Sequence, residues 1–238
     1  MIRGWACALA CACLPSLAAA WSPATLELAR RAQAELGSRA VIVASPDEPA
    51  ARALPADARS ELREAQQTLF PWVAAKGIVV PFRRHWFDPV RCAIYVPTDT
   101  DPDAELWAMA HEIGHCVARL DGWQATLWRE PAVTARHRAE SWADAFATLA
   151  VPASERRRSA DLAAARRTHL ADDAAYLTGR AIACALALPD STGISLHRIG
   201  RRVEQQLAQP GCLMDAAQLR ATQAFLSSLP RAPAAPRN

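Results

Sequence analysis

Beyond its first twenty residues the chain lacks any apolar run near the ~20 residues that a membrane-spanning helix needs, so no transmembrane segment is read downstream of Ala20. Lysine is almost missing: Lys76 is the only one, and arginine supplies the rest of the 27 basic side chains. Against 24 acidic residues this leaves a formal charge of only +3, too small and too dispersed for a polyanion footprint. Arg156-Arg157-Arg158 and Arg166-Arg167 read as solvated helix faces, and no nucleic-acid partner is expected. Internal repeats are absent, and nothing marks a pro-segment or an inhibitory module.

What is present begins with an export signal. Arg3 gives a positive start, residues 5–17 are apolar, and Ala18-Ala19-Ala20 is a small-residue cleavage site, so 1–20 reads as a signal peptide. Acylation at Cys11 or Cys13 would need a longer apolar run before it. The mature chain is expected to start near Trp21 and to be periplasmic or secreted. Cys7, Cys11 and Cys13 leave with the signal; Cys92, Cys116, Cys184 and Cys212 remain, an even number in an oxidising compartment. Two disulfides are expected, and the sequence leaves all three pairings open. The mature length suffices for one sizeable domain, or one domain with a helical extension.

The chain is organised around His111-Glu112-Ile113-Gly114-His115. On a helix, i and i+4 share a face, so two imidazoles there can point at one metal ion. The glutamate between them can reach a water on that metal, which gives H-E-x-x-H its content: two zinc ligands and a general base. The flanks support a helix. Thr100 and Asp103 form a capping box, Pro102 suits the first helical position, and Asp103 and Glu105 favour the positive end. Leu106, Met109, Ala110, Ile113 and Val117 make a core-facing stripe, and Asp121-Gly122 stops it, giving a helix of about five turns.

A catalytic zinc usually takes three protein ligands and keeps a fourth position open. The next strong segment opens after Pro131 and ends before Pro152; it carries Glu140 and Asp144 on one face and Trp142, Ala145, Phe146 and Leu149 on the apolar side. H-E-x-x-H followed by E-x-x-x-D on a second helix resembles the gluzincin branch of zinc metallopeptidases. The run Glu140-x-x-Ala143-Asp144-x-Phe146-Ala147-x-Leu149-x-x-Pro152 is similar to the corresponding helix of the ImmA/IrrE-like metallopeptidases. The likeness covers Trp107 to Pro152 alone, and those relatives are typically intracellular. The resemblance implies that Glu140 is the third ligand and that Asp144 orients His111 or His115. Such a carboxylate fixes an imidazole's tautomer and raises its basicity.

Other readings stand beside this one. Asp121 occupies the place where metzincins carry a third ligand, and Met214 could imitate their Met-turn; but Ala118 stands where they need glycine, and alanine does not break a helix. A non-catalytic metal-dependent binding or regulatory protein would have no use for Glu112. A purely structural helical protein would carry the motif by accident. Cys116 follows a ligand, but its helical angle, about 100° from His115, turns it from the metal.

Around the motif, 23–36 reads as a helix capped by Ser22, 40–44 as a strand, and 57–75 as a helix interrupted at Pro71. Residues 77–81 and 92–96 are short β-rich runs. A few strands ahead of the motif helix match the upper lobe of zincins, where an edge strand commonly holds an extended substrate. Residues 93–96 are either that cleft strand or a core strand. After Pro152 helices are expected at 155–169, with Ser154 as cap, and at 172–188, 195–207 and 214–229; 231–238 should be a disordered tail. The fold class expected is thus α+β, mainly helical and zincin-like: a catalytic domain over 21–152 and a helical lobe over 153–230. The function implied is an exported zinc metallopeptidase acting on protein or peptide substrates. His111, His115 and Glu140 would hold Zn2+, with Glu112 as general base. Tyr176, His169, His197, Tyr95 and His137 are unranked candidates for an oxyanion donor.

Overall fold

The structure is a computed structural model of the chain and describes residues 21–68, 77–82, 90–98, 101–123, 132–169 and 174–228. The signal segment, Pro71, Thr100 and the tail lie outside these. Helix α1 (Pro23–Leu36) starts where the sequence says. The Ser22 hydroxyl accepts the Thr25 N–H, Pro23 fills the first turn, and Gly37 (φ 58°) ends it. The three-stranded sheet comprises β1 (Ala40–Val43), β2 (Ile78–Phe82) and β3 (Arg91–Tyr95), in the order β1-β3-β2. β3 is parallel to β1 and antiparallel to β2.

Residues 93–96 therefore belong to the middle of the sheet, and β1 and β2 are its edges. The physical reason is burial on both faces. Cys92, Ile94 and Val96 enter the main core with α1, whereas Ala93 and Tyr95 enter a second cluster with Leu54, Leu62 and Phe82. A strand covered on both sides has no polar alternation. The second cluster is closed by a single-turn helix α2 (Pro49–Arg52) and by α3 (Ala56–Thr68).

Helix α4 (Pro102–Leu120) carries the motif, and α5 (Ala132–Ala150) packs against it. The N-cap of α4 is Asp101 instead of Thr100: its Oδ1 accepts the N–H groups of Asp103 and Ala104 at 3.0 and 3.4 Å. With Pro102 at the first helical position, the cap falls on the residue before it. The two helices meet closely at Gly114. A Cβ there would lie 3.1 Å from the Phe146 ring and 3.3 Å from the Ala143 Cα.

The remaining described elements are helical: α6 (Arg156–His169), a 3-10 turn (Ala174–Tyr176), α7 (Gly179–Leu186), α8 (Leu196–Leu207) and α9 (Ala216–Ser228). Ser154 lies inside another 3-10 turn, Ala153–Glu155, that leads into α6. The continuous helix expected over 172–188 is interrupted, because α7 begins only at Gly179 and Thr178 is drawn into a tertiary contact described below. Leu196, Ile199 and Val203 of α8 and Ile182 of α7 share one core with Trp142, Phe146 and Leu149 of α5. The fold is thus mainly helical with one small sheet, as expected. Cys92 pairs with Cys116 and Cys184 with Cys212, each with a Cα–Cα distance of 5.8 Å. Among the described residues no helix is long and apolar enough to cross a membrane.

His137 of α5 ties this helical part together. It is buried, and the Met214 N–H donates to its Nε2 at 3.3 Å. Burial, opposed by the Ala175 backbone and reinforced by Arg138 and Arg180, holds its pKa below the ordinary histidine value. The ring is thus neutral when folded and charges more readily when unfolded, so the unfolded state takes up more protons. Its contribution is complete above the unfolded pKa of about 6.5 and is lost as pH falls from there through the folded pKa. In denaturation midpoints measured across that window, His137→Gln is expected to flatten the acid side of the stability curve. An unaltered slope would refute this.

Candidate metal centre

His111 and His115 project from the same side of α4, as four-residue spacing dictates. Their rings meet edge to face with centroids 4.7 Å apart, and their Nε2 atoms are 3.1 Å apart. Glu140 arrives from α5: one carboxylate oxygen is 3.4 Å from His111 Nε2 and the other 3.7 Å from His115 Nε2. The three residues offer one ligand atom each within 4.8 Å of one another, a group that could hold a metal ion. His111 is buried; His115 and Glu140 are partly open.

Behind the cluster stands Asp144, one turn on from Glu140. His111 Nδ1–H donates to its Oδ1 at 2.8 Å, so Asp144 engages His111. The Thr178 hydroxyl donates to the other oxygen at 2.5 Å. With Nδ1 carrying the proton, a neutral His111 turns its Nε2 lone pair toward His115 and Glu140. Trp107, one turn earlier, lies against the ring with centroids 4.9 Å apart. Two imidazole nitrogens and a carboxylate, one of them locked in the ligating tautomer, fit a metal ion by the chemistry of the donor set. Removing the orienting carboxylate in Asp144→Ala should lower metal affinity about 10- to 100-fold with the fold retained. Competition with a chromophoric chelator would measure it, and unchanged affinity would show the bond to be incidental.

Glu112 is buried at the floor of a cleft of ≈ 280 Å³ shared with the cluster. Gly77, Ile78 and Val79 at the start of edge strand β2 line one side, and Arg119 and Tyr176 complete it. The backbone at Gly77 lies directly over Glu112: a Cβ there would come within 2.5 Å of its Cγ and 2.9 Å of its Oε1. No side chain fits.

The other sequence candidates sit elsewhere. Asp121 caps the end of α4, where His197 Nδ1–H donates to its two oxygens at 2.8 and 2.9 Å. Met214 serves His137. Tyr95 is buried in the second core cluster, and burial pushes its phenol above the ordinary value. His169 closes α6, and its side chain lies outside the described set. Of the five oxyanion candidates, Tyr176 is the one seen lining the cleft. The sulfur of Cys116 is joined to Cys92, so β3 is tied to α4 beside His115. Sequence reasoning missed Thr178 and the roofing role of Gly77. Thr178 lies 34 residues from Asp144 and had no local signal; Gly77 was legible only as a strand boundary.

Comparison with protein-family models, with curated proteins and with solved structures finds no match to this chain.

Proposed function

We propose that the chain is an exported zinc metallopeptidase of gluzincin type. One observation carries the reading: His111 and His115 from α4 and Glu140 from α5 converge in the same cleft as Glu112. A structural zinc site is ordinarily closed by four ligands, whereas three ligands and a neighbouring carboxylate suit hydrolysis. Zinc bound there would bring a water toward neutral pKa and polarise the substrate carbonyl.

The chain's own residues do the rest. Glu112, covered by the Gly77 backbone, takes the proton of the attacking water and passes a proton to the leaving amine. Asp144 keeps the proton of His111 on Nδ1 throughout, and Thr178 holds Asp144. Tyr176 supplies a neutral O–H donor for charge developing on the carbonyl oxygen. The signal-like first twenty residues and the two cystine pairs support export to the periplasm or beyond. Peptide or unfolded protein is the partner this implies.

Metal analysis of the processed chain tests the reading. About one zinc per chain is expected, lost in Glu140→Ala and His111→Ala and kept in Asp121→Ala. Cleavage of unfolded casein should stop on chelation and return with zinc. Loss of metal in Asp121→Ala, or no zinc after supplementation, would overturn the proposal.

A further inference from the structure

His111, His115 and Arg119 follow one another at four-residue intervals along α4, so they share one face of the helix. The first two belong to the metal group. Arg119, on the next turn, lines the same cleft. A cation in the last turn of a helix is ordinarily explained by the helix dipole or by a neighbouring carboxylate. The dipole does not require the side chain to border a cleft, and the carboxylates are spoken for. Asp121 is engaged by His197, and the cleft's own acids, Glu112 and Glu140, belong to the proposed chemistry. Among the described residues the Arg119 side chain has neither a hydrogen bond nor an ion pair. Arg119 is exposed; desolvation at the cleft lowers its pKa from the usual arginine value, yet arginine stays charged at any working pH. An exposed guanidinium on the lining of the cleft, without a counter-charge, is complementary to something the cleft receives.

We infer that Arg119 is a specificity residue that pairs with a carboxylate of the substrate close to the bond that is cut. The inference rests on the peptidase reading above and names its substrate class. The planar guanidinium fork matches a carboxylate by two parallel hydrogen bonds. Four residues of helix place Arg119 about 6 Å beyond His115 along the axis. An extended peptide rises about 3.3 Å per residue, so the carboxylate belongs within about two residues of the scissile carbonyl. It comes from an acidic side chain or from a free C terminus, and both present the same two oxygens.

Binding measured without turnover separates these sources. Zinc-loaded Glu112→Gln protein is titrated calorimetrically with N-acetyl-Ala-Ala-Glu-Ala-amide and its Gln twin. A second pair is N-acetyl-tetra-alanine with a free C-terminal carboxyl and the same peptide amidated. In at least one pair the carboxylate peptide should bind about 10- to 100-fold tighter than its neutral twin. The pair that shows it identifies the source. The preference should persist in metal-free protein, vanish in Arg119→Gln and return in part in Arg119→Lys. Equal affinities within both pairs, or a preference that survives Arg119→Gln, would overturn the assignment and give the anion to the metal alone. The same peptides are offered to the protein with Glu112 intact. Failure to cut any of them, with the carboxylate preference intact, would refute the peptidase reading and leave the Arg119 contact standing; cleavage blind to charge would do the reverse.

Discussion

Glu112→Gln is expected to lower peptide hydrolysis by about 10²–10⁴-fold while metal content and thermal stability stay as they were. Glutamine has the shape of glutamate, so the close contact with the Gly77 backbone is undisturbed. What disappears is the carboxylate proposed to accept the water's proton. Because Glu112 is not among the three residues whose ligand atoms converge, the variant should hold its metal, in contrast to His111→Ala. The loss should fall on kcat with KM little changed, the pattern of an interaction made only in the transition state. The limb of the pH–rate profile that reports the base should vanish with it. Activity retained within about tenfold would mean that another group takes the proton, and the mechanism would fall.

The second large effect concerns the bridge between β3 and the metal helix. Cys92 and Cys116 are 24 residues apart, and closing a loop of that length lowers unfolded-chain entropy enough to stabilise the fold by about 3.5 kcal/mol. Cys92→Ala/Cys116→Ala should therefore lower the melting temperature by about 10 °C for a chain of this size. The Cys184–Cys212 loop, with a separation of 28, predicts a similar stability loss when removed. The two variants should differ at the metal. Cys116 is the residue after His115, so releasing it loosens a ligand-bearing turn; Cys184 and Cys212 brace α7 against the segment before α9. Zinc affinity should drop in the first variant and hold in the second. Equal metal loss in both would show that affinity follows global stability alone.

Which features could be read from the sequence follows from their range. The helix carrying His111 and His115 was legible because its signals are local: Pro102 at its start, Gly122 at its end and an apolar stripe at helical spacing. Glu140 and Asp144 were legible for the same reason, as neighbours on one face of a second helix. The cap at Asp101 was missed by one residue, since both Thr100 and Asp101 are capping types and Pro102 alone decides between them. The place of residues 93–96 was open because five consecutive buried positions suit a strand covered on both faces, yet pairing partners are set far away in the chain. Thr178 sat inside a stretch that reads as helix. Only its tertiary bond to Asp144 shows why the helix begins after it. The cysteine pairing, likewise, is a statement about distance in space that spacing along the chain does not contain.

The line of bonds from Thr178 through Asp144 to His111 bears on how a metal ion would be received. A histidine ring free to rotate gives up rotamer entropy when it is captured, and that loss weakens the capture. Here the ring is held from behind by Asp144, which the Thr178 hydroxyl holds in turn, so groups on two other segments set its orientation. Small zinc modules are unfolded until they are filled. Here the helices that carry the candidate ligands also pack on one another through apolar side chains. An ion entering the cleft would meet a ring already turned to present Nε2, so less rotamer entropy would be given up in capturing it.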